Sequence, residues 1–320
     1  MIQKNKFLIT AALPYANGPL HFGHIAGAYL PADCYCRFLR LCGKNALYVC
    51  GSDEHGVAIT LSAELENRTP QEHVDKYHNV IKNFFEKLNI HFDHFSRTTW
   101  PGHAKITQAF FLQLLENGYI EERVTDQLYS NADNRFLADR YVEGGCPKCK
   151  YEYARGDECP KCGASYEATD LINPRSKITK ATLSLKSTKH WFLRFDLFKD
   201  QLNEWISKKS WKPNVQLFAK NYIDDLKPRA ITRDSEWGIP VPLPNTEGKV
   251  FYVWFDAPIG YISSTMEWAE KIGDKERWKD YWFDKNTKLI NFIGKDNIPF
   301  HAVFFPAMIM GQNAPYKIVD

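Results

Sequence analysis

Residues 7–41 read FLITAALPYANGPLHFGHIAGAYLPADCYCRFLRL, and this stretch decides the fold. Phe7, Leu8 and Ile9 form the kind of apolar run that a strand buried on both faces carries. The turn formers Pro14, Asn17, Gly18 and Pro19 follow, and His21-Phe22-Gly23-His24 then opens a helical pattern. A strand that delivers a glycine-containing helix N-terminus to a sheet edge suits phosphate. The first N–H groups of the helix lack partners within it, and that end of the dipole is positive. His21 and His24, three residues apart, share one face of the first turn and can address one ligand. Gly23 between them lets a flat base approach the backbone. A bare His-x-Gly-His is equally compatible with two solvent-facing histidines at an ordinary helix start, so the remainder of the chain has to decide.

Composition sets the outer bounds. A chain of 320 residues holds one large or two to three smaller domains with a sizeable core. The formal charge of +3 is too small for an electrostatic nucleic-acid binder, and a cluster such as Lys208-Lys209-Ser210-Trp211-Lys212 reads as a solvated face. No apolar run reaches the length of a membrane span, and Met1–Lys6 leads into a strand rather than a secretory hydrophobic segment. Of the eight cysteines, Cys34, Cys36, Cys42 and Cys50 read as thiols of a reducing compartment. The expectation is a cytoplasmic α/β protein.

Along the chain, Asn45–Cys50 reads as a second strand ending in Gly51-Ser52-Asp53-Glu54-His55-Gly56. A carboxylate at the carboxyl edge of an open α/β sheet can pair with a substrate ammonium, which singles out Asp53. The competing role for Asp53 is an N-cap for the next helix. Val74, Tyr77, Ile81, Phe84, Phe85 and Leu88 follow helical spacing, as do Ile106, Ala109, Phe110 and Leu114 up to an Asn117-Gly118 stop. These are core stripes, and His73, His78, His91, His94 and His103 read as surface or satisfied structural residues. From Gly118 the β-α rhythm breaks into short strands and charges, with no helical stripe before Leu197–Ile206, as an inserted domain would. Inside it, Cys146, Cys149, Cys159 and Cys162 form two Cys-Pro-Lys-Cys knuckles, a pattern that surrounds one tetrahedral Zn²⁺ with no open position, hence structural. The aromatics of Lys189–Phe195 and Trp211–Phe218 fit core packing, or stacking on bases.

The rhythm then returns. Pro228–Pro242 (PRAITRDSEWGIPVP) is an irregular polar stretch whose Arg229 and Arg233 offer guanidinium forks. Val250–Phe255 (VFYVWF) reads as a buried strand ending in Asp256-Ala257-Pro258-Ile259-Gly260-Tyr261. Leu289–Ile293 reads as another, ending in Gly294-Lys295-Asp296-Asn297, before a helix carrying Phe300, His301, Phe304, Phe305 and Met308. Strands that each end in a polar turn at a helix start describe a doubly wound parallel sheet. Leu13, Tyr15, Trp254, Ala257, Pro258, Tyr261, His301 and Phe305 would then converge on one apolar pocket with a few polar tips, as a thioether requires, or simply form core.

The run PYANGPLHFGH resembles the HIGH signature of class I aminoacyl-tRNA synthetases, with Phe22 in a buried position taken by isoleucine there. Ala11-Ala12-Leu13-Pro14-Tyr15, GSDEHG, ITRD with WGIPVP, VWFDAPIGY and FIGKDNIPFH narrow the resemblance to the methionyl-tRNA synthetase family, from Phe7 to Met310. It implies a Rossmann-like catalytic domain in two halves, 1–117 and 229–320, interrupted by a connective-peptide domain with a zinc knuckle over 118–228. It also implies ATP-dependent activation of L-methionine to methionyl-adenylate and transfer to tRNA(Met), with Mg²⁺ accompanying ATP. By the same carry-over His21, His24 and Arg233 serve catalysis at the phosphates. His21, Gly23, His24, Gly294 and Asp296 bind ATP, with Asp296 on the ribose. Leu13, Tyr15, Asp53, Trp254, Ala257, Pro258, Tyr261, His301 and Phe305 bind methionine. No Lys-Met-Ser-Lys-Ser loop and no anticodon-binding domain occurs in the sequence, so the expectation is a catalytic region cut short that binds methionine and activates it slowly. The alternatives are a sibling class I synthetase, a non-catalytic synthetase-like binding protein, and an RNA-binding module built on the zinc knuckle.

Overall fold

The computed structural model describes residues 6–138, 141–156, 159–164, 166 and 168–320. The lead-in Met1–Asn5, read above as free of a secretory segment, lies outside the described residues. Lys6–Ala11 pairs in parallel with Lys288–Phe292 on one side and with Asn45–Ser52 on the other, and Asn45–Ser52 pairs in parallel with His94–Arg97. Side-chain alternation explains why the two central strands, Lys6–Ala11 and Asn45–Ser52, are apolar almost throughout. Phe7, Ile9, Ala46, Tyr48 and Cys50 face a core formed with Ile25, Ala32, Leu39, Ile81 and Phe85. Leu8, Leu47, Val49 and Leu289 face the opposite core, with Phe110, Leu114, Ile262 and Met308. Helices cover both faces, so neither side of a strand has a polar register.

The helices start where local chemistry allows. Pro70–Lys87 has Thr69 as N-cap, reciprocated by Glu72, with Pro70 in the first turn. Pro101–Glu116 stops at Asn117 and Gly118, the latter at φ +77°. The helix after the first strand begins at Phe22, loosens into a π-helical turn over Ile25–Tyr29 and continues as Leu30–Leu41.

Two expectations are corrected. The run Val250–Phe255 is not one buried strand. Lys249–Phe251 is a strand paired antiparallel with Thr232–Asp234, outside the parallel sheet, and Val253–Asp256 is helical. The fourth parallel strand is His94–Arg97, whose ladder partners run from Val49 to Ser52. Phe22 is not buried either: 85 % of it is exposed.

Between Pro101–Glu116 and Lys288–Phe292 the chain builds antiparallel sheets. Ile120–Ser130 and Ser184–Leu193 form a long ladder from Ile120↔Leu193 to Tyr129↔Ser184. Val142–Gly145 sits between Ala154–Arg155 and Ile172–Ser176. This small sheet has its own apolar cluster around Leu128, Tyr141, Val142, Cys146 and Cys159. The aromatics that fitted either core or base stacking divide unevenly: Trp191 and Phe195 are buried in the main core, whereas Phe218 is 39 % exposed. Among the described residues no helix is long and apolar enough to cross a membrane.

Candidate active site

The ends of the first two parallel strands meet at a backbone bridge between Tyr15 and Asp53. Asp53 N–H donates to Pro14 O at 2.9 Å and Ala16 N–H to Asp53 O at 2.8 Å, so the two turns leave the sheet as one unit. Two adjoining clefts open there and share Tyr15 and Asn17.

The first cleft is floored by Ala12–Tyr15 and walled by Gly23, His24, Gly294 and Asn297. His21 and His24 are stacked, ring centroids 3.6 Å apart. The backbone N–H of His21 donates to His24 Nδ1 at 3.3 Å, which leaves Nε2 as the proton-bearing nitrogen of a neutral ring. Burial, then the neighbouring His21, lowers the His24 pKa and favours that neutral form. Gly23 has a second reason to be glycine: a Cβ there would stand 3.0 Å from His21 Cε1 and push the ring off its stack. Asp296 is exposed on the short turn Lys295–Asn297 and does not line this cleft, where its neighbours Gly294 and Asn297 do.

The second cleft holds Asp53, Gly56, Arg233, Trp237, Tyr252 and Trp254. Asp53 is not a helix cap. The helix Val57–Leu65 is capped by Gly56, whose φ of +103° turns the chain and brings Tyr15 Oη close. Asp53 Oδ1 is buried without a hydrogen-bond partner. Burial first, and then the nearby charge of Asp256, push this carboxyl well above the usual range, with the His55 N–H drawing it back. An orphaned acceptor of this kind is costly unless a cationic donor meets it. Arg233 lies over the Tyr252 ring, 3.9 Å from its centroid, and donates to Thr232 O at 2.8 Å. The structure thus groups Arg233 with Asp53 and Trp254, and His24 with Gly294.

The apolar residues expected to converge do so in part. Tyr261, His301 and Phe305 are buried and in ring contact, with centroids 5.5 Å and 6.2 Å from Tyr261. His301 Nδ1 donates to Asn297 O at 2.9 Å, so its Nε2 accepts from Tyr261 Oη at 2.8 Å. Burial lowers the His301 pKa to about 4, which keeps the ring neutral. Leu13 presses on Gly260, where a Cβ would come within 2.7 Å of it. Pro258 is buried beside them and Ala257 half-buried. Trp254 stands apart, 46 % exposed, edge-on to Phe300 at 4.7 Å. Neither Tyr261, His301 nor Phe305 lines the two clefts.

Several residues that sequence reasoning passed over hold the site. His73 Nε2 meets Asn17 Oδ1 at 3.0 Å, and Trp237 Nε1 donates to Glu54 O at 2.8 Å. Glu54 is fully buried, and His55 and His103 flank Asp256. Glu54 and His55 lie in the GSDEHG run, Asp256 in VWFDAPIGY, Asn17 in PYANGPLHFGH and Trp237 in WGIPVP, whereas His73 and His103 carried no signal beyond a structural role.

In the small sheet, the Sγ atoms of Cys146, Cys149, Cys159 and Cys162 all lie within 4.8 Å of one another. A tetrahedral thiolate site with metal–sulfur bonds of about 2.3 Å needs sulfurs about 3.8 Å apart. The Cys146–Cys162 and Cys149–Cys159 separations are 3.8 and 3.6 Å. Cys149 N–H also points at Cys146 Sγ, at 3.4 Å. The four residues are able to hold one metal ion.

The sequence profile of the family "tRNA synthetases class I (M)" matches residues 7–319. The chain belongs to that family. It is 68 % identical over 319 residues to a methionine–tRNA ligase of Protochlamydia amoebophila, covering all of this chain and 46 % of the relative. To the methionine–tRNA ligase of Chlamydia abortus it is 58 % identical over 317 residues, covering 57 % of that protein. The chain thus spans about half the length of the curated relatives it matches. A Mycobacterium tuberculosis methionyl-tRNA synthetase, solved with methionyl-adenylate, superposes with a TM-score of 0.71 at 23 % identity, over 98 % of this chain and 56 % of that one. At that identity the superposition speaks for the class I synthetase fold, a parallel sheet with helices into which the four-cysteine element is inserted.

Proposed function

We propose that this chain is the catalytic part of a methionine–tRNA ligase that activates L-methionine with ATP and passes the methionyl group to tRNA(Met). The observation that carries the reading is the buried, partnerless Oδ1 of Asp53 at the edge of the parallel sheet. An α-ammonium group supplies the donors and the charge that this oxygen lacks. For the methionine side chain we assign Leu13, Tyr15, Trp254, Ala257, Pro258, Tyr261, His301 and Phe305; of these Leu13, Tyr15 and Trp254 line the open clefts, and the buried Tyr261 hydroxyl, held on the neutral His301, is the polar group among them.

The methionine carboxylate attacks the α-phosphorus of ATP, the bond to the bridging oxygen of the β-phosphate breaks, and pyrophosphate leaves. A ribose hydroxyl of the tRNA end then attacks the activated carbonyl and AMP leaves. No covalent enzyme intermediate is needed, so the work of the protein is alignment and charge stabilisation. His21 and His24 donate to the phosphates from the helix start, Gly23 and Gly294 admit the adenosine, Asp296 meets the ribose, and Arg233 adds a cation. Mg²⁺ accompanies ATP. The four cysteines hold Zn²⁺ as a structural ion in a connective-peptide domain spanning 118–228, between catalytic halves 1–117 and 229–320. The reaction belongs to the cytoplasm.

A calorimetric titration of the zinc-loaded chain with methionine, leucine, isoleucine, valine, cysteine and homocysteine tests the reading. The expected result is saturable binding of methionine in preference to the others, abolished by Asp53→Ala. Preference for a branched aliphatic amino acid would assign the chain to a sibling enzyme, and binding that survives Asp53→Ala would refute the amine site.

A further inference from the structure

Behind the Asp53 turn runs a line of buried polar groups that the proposed reaction does not use. Asp256 Oδ2 meets His55 Nδ1 at 2.6 Å and stands 3.6 Å from His103 Nε2. His103 Nδ1 meets Ser263 Oγ at 2.9 Å, and that hydroxyl donates to Gly260 O at 3.1 Å. Asp256 and His103 are fully buried and His55 is 5 % exposed, and none of the three lines either cleft. At the far end, the backbone N–H of His55 engages the Asp53 carboxyl. The line therefore joins residues 263, 103, 256, 55 and 53, drawn from three separate stretches of chain, and ends at the amine-binding carboxylate. Keeping a carboxylate between two imidazoles in the interior is expensive in desolvation, and apolar side chains would fill the space at less cost.

We propose that Asp256 is a positioning residue for the amine site: through His55 it holds the Asp53 turn in place, and its own charge opposes a second charge on Asp53 until a cation enters. The proposal rests on the reading of Asp53 given above.

The surroundings divide the two carboxyl groups. Burial works against ionisation of Asp256, but the charge of His55 and the hydrogen bonds of His103 and His55 hold it below the usual carboxylate range. Asp53 faces burial, Asp256 and, more weakly, Glu54, with only the His55 N–H in its favour. The other charged or titratable groups around Asp53 are the Tyr261 hydroxyl, Tyr15 and, across the cleft, Arg233. Two neighbouring carboxyls with opposed environments titrate apart, Asp256 at the lower pH and Asp53 at the higher. Below the Asp53 transition a docking ammonium group displaces the Asp53 proton to solvent, and the new carboxylate pairs with the cation. Methionine binding then strengthens as pH rises through the Asp53 transition, and it releases protons below it.

The test is calorimetry of methionine binding by the full 320-residue chain between about pH 5.5 and 8, in buffers of differing ionisation heat. The expected results are proton release that fades as pH rises, and an affinity midpoint that Asp256→Asn moves to lower pH. The downward direction follows from removing a like charge that opposes ionisation of Asp53. Ser263→Ala perturbs the same line without changing charge and leaves the midpoint in place. An Asp256→Asn protein with wild-type melting and an unmoved midpoint overturns the proposal. If that variant does not fold, wild-type binding without proton release overturns it instead. A wild-type chain that binds no methionine refutes the amine site itself, an outcome distinct from either.

Discussion

Glu54 offers the most direct check on how the Asp53 turn is held. Its carboxylate is fully buried, with Oε1 accepting from Ser52 Oγ at 2.6 Å and Oε2 from Arg97 Nε at 2.8 Å and from Thr99 Oγ1. Its backbone N–H donates to Thr98 Oγ1 at 2.9 Å, and its carbonyl takes the Trp237 indole. Glu54→Gln keeps the shape but turns one acceptor oxygen into a donor, facing either the Ser52 hydroxyl or the Arg97 guanidinium. Arg97 keeps Asp75, at 2.6 Å, but that partner is 46 % exposed and screened. Stranding one side of a buried charged network costs about 2–4 kcal/mol. At about 2.1 cal/mol/K of unfolding entropy per residue, a chain of this length loses roughly 3–6 °C of melting temperature.

The sign with pH is also fixed. Burial alone would raise the Glu54 pKa, but hydrogen bonds from His78, Arg97, Ser52 and Thr99 overcome it and hold the group below its usual range. The stability it contributes is therefore present above the unfolded carboxylate pKa and is lost as pH falls through the lower folded value. Differential scanning calorimetry should show the wild-type and Glu54→Gln curves separated at neutral pH and converging in acid. A melting difference under about 1 °C at pH 7, or one that does not narrow in acid, would refute the reasoning.

Gly23→Ala should displace the His21 ring, given the 3.0 Å contact, and weaken ATP binding several-fold while methionine affinity stays within about twofold. Equilibrium dialysis with each ligand separates the two effects. Tyr261→Phe leaves the buried His301 Nε2 without its donor, a cost of about 1–3 kcal/mol, and methionine titration should show a weaker Kd with reduced preference over leucine. Because burial holds His301 neutral down to about pH 4, that loss should be constant between pH 6 and 8. Cys146→Ser removes one of four sulfurs, so metal content measured by atomic emission should fall from one per chain toward zero. The melting transition of the small sheet around Val142 and Leu171 should fall with it, and chelator treatment of the wild type should reproduce the change.

The sequence by itself determined what local pattern can encode. Apolar runs before polar turns mark Phe7–Ile9, Asn45–Cys50 and Leu289–Ile293 as strands; the first two are buried almost throughout because helices cover both faces, whereas the edge strand Lys288–Phe292 buries only Leu289. Two four-residue cysteine knuckles so close together bring their sulfurs together through local geometry alone, and His21 and His24 share a face because a helical turn makes them. Tertiary structure decided what depends on distant partners. VFYVWF has the composition of a strand, yet pairing with Thr232–Asp234 ends at Phe251 and Val253–Asp256 is helical. His94–Arg97 is short and half polar, and it becomes a strand because Val49–Ser52 presents a free edge. The Asp256–His55 bond spans 201 positions, so nothing in either local run could announce it. Phe22 is exposed because its place on the first turn points away from the sheet, a direction set by how the whole helix docks rather than by the hydrophobicity of the residue.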